Sequence, residues 1–362
     1  MADTYATNIS EGFASKVIEH YYEGAVTDAI TNNDYEGEVK DKLSKLHILT
    51  FGKLSLKTYN GANLTADDPT ESVGELTTSE MKAYYFKIPS LSVFKSWIKN
   101  PEGTLIEQCG AELKETVDAY TLGLYPDVGA GNRVGTDYIT GTVTVTVTTG
   151  AVTGSGTTFT ADMVGKGFKA LGHTKWYRVK TYSSATSIVI EDDSDDDTSA
   201  YTGGAISGGA TYAVQANTVL TVAKATVYGY IVNLKTKLDE AKVPKTDRWL
   251  TVPSGIAGII VQAPELIPAV PTAYEDVVKR GLLGTIAGFQ VYQNEQVAGD
   301  SVNGWHVLSG HKSAITFAMG FVESGIEDLT GNFGKAYKGL SVYGAKVVDD
   351  RRKALAEGFW KI

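Results

Sequence analysis

A threonine- and glycine-rich stretch between two long helical patterns constrains the fold of this 362-residue chain more than any other feature. Thr136 to Thr160 contains eleven threonines in twenty-five residues, and short β-branched runs with paired glycines continue to Val214. Alternating β-branched residues separated by glycine turns predict short strands. Because a helical pattern resumes directly after Gln215, we predict a small all-β domain at Ile139–Gln215, inserted into a larger domain.

The helical patterns on either side of this stretch are long and amphipathic. From Glu102 to Tyr125 the apolar residues recur at steps of three or four: Ile106, Cys109, Leu113, Val117, Tyr120 and Leu124. This spacing puts them on one face of a helix, which Pro126 is expected to end. A second helix is predicted at Val219–Ala241, followed by a strand at Arg248–Val252.

The N-terminal quarter predicts an amphipathic helix and a projecting ribbon. The helix covers Ser10 to Ile30, with Ser10 as its N-cap. Two alternating runs, His47–Tyr59 and Glu80–Ile88, predict strands on either side of the polar, turn-rich segment Asn60–Pro69. An isolated two-stranded ribbon is marginally stable in water. We therefore expect it to lie on another surface.

The C-terminal region mixes helix and strand. Beyond Pro271 the patterns predict a helix at Tyr274–Leu283 and strands at Phe289–Gln293, Trp305–Leu308, Ala314–Phe317 and Ser341–Val347. No repeat of 20–50 residues covers the chain, which excludes solenoids and propellers. The predicted fold class is α+β.

Charge and cysteine content exclude several functions. The chain has 33 basic and 42 acidic side chains, a net charge of −9, so it is not a generally basic nucleic-acid binder. The single cysteine, Cys109, cannot form an internal disulfide and is expected in the core. No apolar run has the length of a membrane span, and Met1 to Ser10 lacks the order of a secretion signal. We therefore expect a protein made in a cytoplasm, with no membrane partner.

The residues form no recognisable catalytic set, so we predict no enzyme activity, cofactor or metal. The five histidines include no HExxH zinc site. Gly129, Gly131 and Gly135 look like a dinucleotide-binding loop, but their spacing is one residue too long and a helix precedes them. We interpret them as a linker from helix to strand. Gly154-Ser155-Gly156 is interpreted as a β turn rather than a nucleophile elbow.

Two charged segments leave alternatives open. Within the acidic run 191–197, Asp193, Asp195 and Asp197 have the first spacings of a calcium loop, but Thr198 replaces its glycine. The run is either a solvated loop or a looser cation site. From Gly331 to Ile362 seven basic residues face three acidic ones: Lys335, Lys338, Lys346, Arg351, Arg352, Lys353 and Lys361 against Asp349, Asp350 and Glu357. They face a polyanion or pair with acidic neighbours, and we favour the neighbours.

Three ordered segments resemble a known family. The first runs from Leu238 to Pro253, the second from Gly281 to Asn294, and the third joins Ala314–Ala318 to Gly339–Val347. Together they are similar to the major capsid proteins of tailed double-stranded-DNA bacteriophages, whose Hong Kong 97-like fold is shared with encapsulins. The residues that carry this assembly and fold signature are Pro244, Arg248, Trp249, Pro253, Gly288, Phe289, Tyr292, Tyr343 and Gly344.

The resemblance implies an architecture. It assigns an N-terminal arm to residues 1–45, an extended β loop to 46–90, and the capsid body with its spine helix to 91–138 and 216–362. The inserted β-rich domain, 139–215, has no counterpart in most such proteins. The extended loop carries Lys53, Lys57, Lys82 and Lys87, but nothing in the sequence identifies a lysine–asparagine cross-link.

The resemblance also implies a function. It predicts a structural subunit that assembles with itself into hexamers and pentamers, forming an icosahedral shell around double-stranded DNA without sequence specificity. Scaffolding and portal proteins are expected partners, and the expected location is the virion after assembly in the host cytoplasm. A net acidic wall would repel packaged DNA and leave it mobile.

Two other classes of function remain. An encapsulin would use the same fold to enclose a cargo enzyme, which the inserted domain disfavours. An exported adhesin or sugar-binding protein would explain the Thr/Gly-rich domain, but no export signal is visible.

Overall fold

The structure, a computed structural model, describes residues 25–32, 34, 45–51, 57, 59, 71–90, 101–193, 200–263, 282–330 and 333–362. Every structural statement below refers to these residues. The predicted helix at Ser10–Ile30 lies outside them up to residue 24, including its Ser10 N-cap, and Thr27–Ile30 is helical. The predicted helix at Tyr274–Leu283 lies outside them up to residue 281, and a strand begins at Leu282.

The described elements alternate irregularly along the chain. The α-helices are α1 (Thr27–Ile30), α2 (Pro101–Leu122), α3 (Val227–Glu240) and α4 (Ser254–Val261), with 3-10 turns at Tyr125–Asp127, Ala161–Met163 and Asp349–Ala354. The strands up to the β-rich stretch are β1 (Lys45–Phe51), β2 (Glu71–Thr77), β3 (Glu80–Pro89) and β4 (Arg133–Val134). Those of the β-rich stretch are β5 (Thr136–Tyr138), β6 (Thr142–Val145), β7 (Ala151–Ser155), β8 (Gly167–Ala170), β9 (Tyr177–Ser184), β10 (Ser187–Asp192), β11 (Ile206–Ala210) and β12 (Tyr212–Thr218). The remaining strands are β13 (Leu220–Thr221), β14 (Arg248–Val252), β15 (Leu282–Ile286), β16 (Phe289–Gln293), β17 (Gly299–Asp300), β18 (Gly304–His311), β19 (Ile315–Asp328), β20 (Gly334–Val347) and β21 (Leu355–Lys361).

The chain divides into two compact units. Among the described residues, the first unit holds those of Asn33–Leu113 and Thr316–Lys346. The second holds those of Tyr22–Asn32, Lys114–Ile315 and Val347–Ile362.

The first unit contains a three-stranded sheet in the order β19-β20-β3 and a separate antiparallel pair, β1 with β2. For the described residues, the predicted ribbon, in which His47–Tyr59 would pair with Glu80–Ile88, is therefore wrong. Residues 52–56 and 58 of its first strand and the turn-rich segment Asn60–Pro69 lie outside the described residues. Leu46 of β1 lies opposite Leu76 of β2, whereas Phe86 of β3 lies opposite Tyr337 of β20 and stacks on its ring at 5.4 Å. Strand β2 escaped prediction because its sequence, ESVGELT, is rich in charge and contains a glycine.

The second unit is built around an eight-stranded sheet. Six strands follow one another in the order β13-β21-β18-β14-β16-β15, while β17 pairs with β18 and β4 pairs with β21. The central strand β14 is buried at every position, and the predicted strands at Arg248–Val252 and Phe289–Gln293 are confirmed. The predicted helix at Val219–Ala241 begins later, at Val227, because Leu220 and Thr221 pair with β21. Tertiary pairing of these residues overrides their helical spacing.

Helix α2 confirms the predicted long amphipathic helix, but it ends at Leu122, before the predicted Tyr125. Burial of its apolar stripe changes along its length: Ile106 is exposed, whereas Val117 is buried. Cys109 is only half-buried, so its expected place in the core is wrong. Burial, with the nearby charge of Glu112, still raises the pKa of the Cys109 thiol, which disfavours a reactive thiolate.

The β-rich stretch forms an eight-stranded sheet in the order β11-β6-β7-β10-β9-β8-β12-β5. Its alternating pattern buries Val143 and Val145 of β6 while the intervening Thr144 is exposed. A hydrophobic cluster is formed by side chains of this stretch, on the strands and in the segments between them: Val143, Val145, Val152, Phe159, Met163, Phe168, Ala170, Tyr177, Val179, Ile188, Ile190, Tyr201, Tyr212 and Val214. The strand pair β5–β12 extends beyond the predicted limits of 139–215, which stay a prediction.

Candidate functional site

The first signature segment is a hydrogen-bonded connection from helix to strand. The Arg248 side chain, 3% exposed, donates from Nε to the Pro244 carbonyl at 2.8 Å and from Nη2 to the Val243 carbonyl at 2.7 Å. Its Nη2 also lies 2.8 Å from Oδ1 of Asp239, near the end of α3. A guanidinium supplies several donors in a fixed geometry. This explains why an arginine follows the turn at that spacing.

The second signature segment is a tight hairpin. Ala287 and Gly288 have φ of 50° and 89° and join β15 to β16 in two residues. Positive φ at both turn residues is the type I′ pattern, in which glycine is strongly preferred. Phe289 follows as a fully buried side chain, and the half-buried Tyr292 donates from its hydroxyl to Oε1 of Gln290 at 2.9 Å.

The structure brings the first two segments together within the second unit, and most of the third segment belongs to the first unit. Strand β14 runs parallel to β16, with the buried Trp249 opposite Gln290, and Pro253 precedes α4. Tyr343 and Gly344 lie on β20 in the first unit, where a Cβ at Gly344 would collide with the carbonyl of Thr77. All these contacts are packing contacts within the chain. An assembly role for the signature residues therefore stays a prediction.

A buried carboxylate that sequence reasoning missed anchors the described N-terminal segment. Asp118 of α2, 2% exposed, accepts hydrogen bonds from the Val26 amide at 3.0 Å and from the Thr27 amide and hydroxyl at 3.0 and 2.6 Å. It also accepts from Nδ2 of Asn294 at 2.8 Å. The carboxylate therefore joins three distant parts of the second unit. The available signal was an acidic residue beside Val117 on the apolar stripe.

A second buried charge centre lies between β4, β18 and β21. The Arg133 guanidinium pairs with Glu357, whose other oxygen lies 2.5 Å from Nδ1 of His306. Burial alone would raise the pKa of Glu357, but the Arg133 charge and the His306 hydrogen bond outweigh it and hold that pKa below its usual value. The His306 ring is stacked between Tyr125 at 3.8 Å and Phe359 at 4.6 Å.

This centre lines a cavity of about 560 Å³. Lys166 and Asp162 lie on its wall together with Arg133 and Glu357, so positive and negative charges are balanced there. The spacing of the five histidines excluded an HExxH zinc site but gave no role to His306, which the structure places in a packed ion-pair centre.

The acidic run is partly explained by ion pairs. Asp193 accepts from the Ala130 amide at 2.7 Å and from Nη1 of Arg352 at 3.0 Å, and Asp192 pairs with Lys175 at 2.9 Å. These contacts favour a paired acid over a cation ligand at Asp193, because each of its oxygens faces a donor. Asp195 and Asp197 lie outside the described residues.

Two of the C-terminal basic residues follow the favoured interpretation, whereas Arg351 donates from Nη1 to the Ser313 carbonyl at 2.9 Å. Arg352 pairs with Asp193 and approaches Asp127 at 3.9 Å. Lys338 pairs with Glu327 and lies 3.3 Å from Glu323. Pairing with acidic neighbours is confirmed for these two residues.

The first unit exposes large apolar side chains. Tyr85 on β3 is 68% exposed and Met81 is 45% exposed, while Ile326 and Phe333 are 61% and 91% exposed. In the described residues β3 pairs with β20 along one edge only. An exposed edge strand with apolar side chains favours contact with another chain.

Neither a metal centre nor a membrane span is found in the described ranges. Among them, no group of three or more His, Cys, Asp or Glu side chains could hold a metal ion. Within the same ranges, no helix is long and apolar enough to cross a membrane.

Comparison with known proteins identifies solved structures with a similar fold. No family model matches the chain, and no curated protein matches it. A solved structure of Mycobacterium phage Che8 is similar, with a TM-score of 0.59, 14% identity, and coverage of 97% of this chain and 96% of that chain. The capsid structure of cyanophage P-SCSP1u has a TM-score of 0.55 and 10% identity, with coverage of 96% of this chain and 92% of that chain. The capsid of Ralstonia phage GP4 has a TM-score of 0.54 and 9% identity, with coverage of 98% of this chain and 96% of that chain. At these identities the shared property is the fold, and this chain has the mixed α+β fold found in phage capsids.

Proposed function

We propose that this chain is the major shell subunit of a tailed-phage head, with a structural and not a catalytic role. The observation that carries the proposal is a fold shared with chains of phage capsids over nearly the whole length of this chain. The ordered signature segments at 238–253, 281–294 and 314–347 support the same conclusion independently of the fold comparison.

The proposal includes the Hong Kong 97-like division of the chain. Residues 1–45 form the arm, 46–90 the extended loop, 91–138 and 216–362 the body, and 139–215 the inserted domain. The antiparallel pair β1–β2 supports a projecting loop, since it pairs with no other described strand. The 22-residue helix α2, about 33 Å long at 1.5 Å per residue, has the length expected of a spine helix.

Self-assembly accounts for surfaces that a monomer would leave open. The exposed Tyr85 and Met81 lie on an edge strand, and Ile106 exposes part of the α2 stripe. Neighbouring copies in hexamers and pentamers would cover such surfaces, because symmetric assembly removes open edges. Many modest contacts repeated around a closed shell give cooperative stability.

The remaining partners follow from the role of a container. A net charge of −9 suits a wall that repels DNA and holds it without sequence recognition. Scaffolding and portal proteins would direct closure during assembly in the host cytoplasm, and the mature location would be the virion.

Sedimentation of the purified chain, expressed with and without the phage's candidate scaffolding protein, tests the proposal. The wild type should form fast-sedimenting closed particles under at least one of these conditions. Tyr85→Glu, on the exposed edge strand, should reduce particle yield while the subunit stays folded. Tyr182→Glu, an exposed tyrosine of the β-rich sheet, is the matched control. A wild-type chain that stays a folded monomer under every condition would contradict the proposal.

A further inference from the structure

The segment Gly129–Arg133, whose glycines were interpreted as a linker from helix to strand, is buried in the structure. Gly129, Ala130, Asn132 and Arg133 are all buried, with Ala130 only 2% exposed. Linkers between independently moving domains normally run over the surface and make few contacts. This segment connects α2 to the β-rich sheet, so its burial bears on how that sheet is held.

One side of the segment packs on the body sheet. Asn132 donates from Nδ2 to the carbonyls of Lys353 at 2.8 Å and Leu355 at 3.0 Å, and its own carbonyl accepts from the Glu357 amide at 3.0 Å. A Cβ at Gly129 would lie 3.4 Å from the carbonyl oxygen of Arg352. The segment is therefore hydrogen-bonded along the start of β21.

The other side packs on the β-rich sheet. A Cβ at Gly131 would lie 2.9 Å from the Trp176 ring, and Gln215 donates from Nε2 to the Gly131 carbonyl at 3.3 Å. A Cβ at Gly167 would collide with the carbonyl of Ala130. The glycines at positions 131 and 167 thus allow backbone and side chain to approach closely across this contact.

The Asp193 carboxylate links the connecting segment to the body through charged interactions. One carboxylate oxygen accepts from the Ala130 amide at 2.7 Å, and the other accepts from Nη1 of Arg352 at 3.0 Å and lies 3.6 Å from Nε of Arg178. Arg178, on β9, also donates from Nη2 to the Pro126 carbonyl at 3.1 Å. One side chain of the β-rich sheet therefore holds the connecting segment and the body at once.

We propose that Gly129–Arg133 is a rigid joint and that Asp193 locks the β-rich domain to the body in one orientation. The domain then moves with the body as a single element and is not a tethered appendage. Neither the lock nor its test depends on shell assembly. In a shell, the joint would fix where each copy of the domain stands relative to its neighbours.

Hydrogen–deuterium exchange measured by mass spectrometry on the full-length chain tests the joint. In the wild type, amides of residues 129–133 should exchange slowly, as core amides do. Asp193→Asn should speed their exchange by about tenfold or more, the effect of losing a charge-assisted hydrogen bond. The matched control is Asp192→Asn, because the Asp192 side chain pairs with Lys175 and Thr202 inside the β-rich stretch.

Peptides covering Ile188–Ile190, in the core of the β-rich sheet, report whether a variant has unfolded. Retained protection there, with faster exchange at 129–133, supports the lock. Gly131→Ala, which crowds Trp176, should have the same local effect by a second route. Rapid exchange of 129–133 in the wild type would overturn the proposal. So would equal exchange there in the Asp193→Asn and Asp192→Asn variants.

Discussion

Replacing Asp118 with alanine tests the buried carboxylate that ties the N-terminal segment to α2. The carboxylate accepts from two backbone amides, one hydroxyl and one side-chain amide, at 2.6–3.0 Å. Alanine removes the acceptor and leaves all four donors without their carboxylate partner. The site is buried, since Asp118 is only 2% exposed.

The expected loss follows from those four donors. A buried donor left without a partner costs about 1–3 kcal/mol, and relaxation of the short helix α1 will let some of the donors reach water. With about two donors left unpaired, the free energy of unfolding should fall by about 3–5 kcal/mol. Asp118→Asn keeps one acceptor oxygen but turns an amide NH₂ toward the donors, so we expect a somewhat smaller loss.

Urea denaturation followed by tryptophan fluorescence measures this loss, because Trp249, Trp305 and Trp360 lie in the same unit as Asp118. Lys114→Gln, at an exposed position of α2 in the same unit, is the control and should change stability by no more than about 0.5 kcal/mol. A loss below about 1 kcal/mol for Asp118→Ala would refute the reasoning, since it would mean that the four donors find water at little cost.

Three further predictions concern the β-rich sheet and the signature segments. His173 is held neutral, because its Nδ1 accepts from the Ala170 amide at 3.2 Å, and burial, with the charge of Lys169, lowers its pKa. The unfolded chain binds the proton more readily, so thermal melts should show stability falling as pH drops below about 6.5, and His173→Gln should flatten that dependence. Arg248→Lys removes the guanidinium fork between α3 and β14 and should cost about 2–4 kcal/mol in urea denaturation. Gly288→Ala should cost about 1 kcal/mol because of its positive φ, whereas Gly258→Ala in α4, where a Cβ has open space, should stabilise by about 0.5–1 kcal/mol.

Each of these predictions has a contrary outcome. An unchanged pH slope in His173→Gln would show that another group titrates in that range. An Arg248→Lys variant with unchanged stability would show that the two carbonyls do not need the paired donors of a guanidinium. Equal effects of the two glycine replacements would argue against the type I′ turn.

Local patterns predicted the strands that are continuous and buried. Arg248–Val252 and Phe289–Gln293 have the expected bounds because apolar residues occupy nearly every inward position and prolines or glycines mark the ends. Such local patterns could not predict which strands of the first unit pair with each other. Whether β3 pairs with β1 or with β20 depends on the match of Phe86 with Tyr337, more than 200 residues away.

The buried polar centres could not be predicted from local patterns either, because their partners are distant in sequence. Asp118 and Asp193 resemble solvated acids in sequence, since their donors lie 91 and 63 residues away or further. Arg133 and Glu357 are separated by 224 residues. Periodicity identifies which face of an element is buried, but it carries no information on which distant charges meet there.

Cryo-electron microscopy of particles formed by the expressed chain tests the central claim most directly. We predict closed icosahedral shells in which each repeating subunit has this fold and neighbouring copies cover the exposed face of β3. A well-ordered solitary molecule, or an assembly in which β3 and its exposed tyrosine face solvent in every copy, would contradict it.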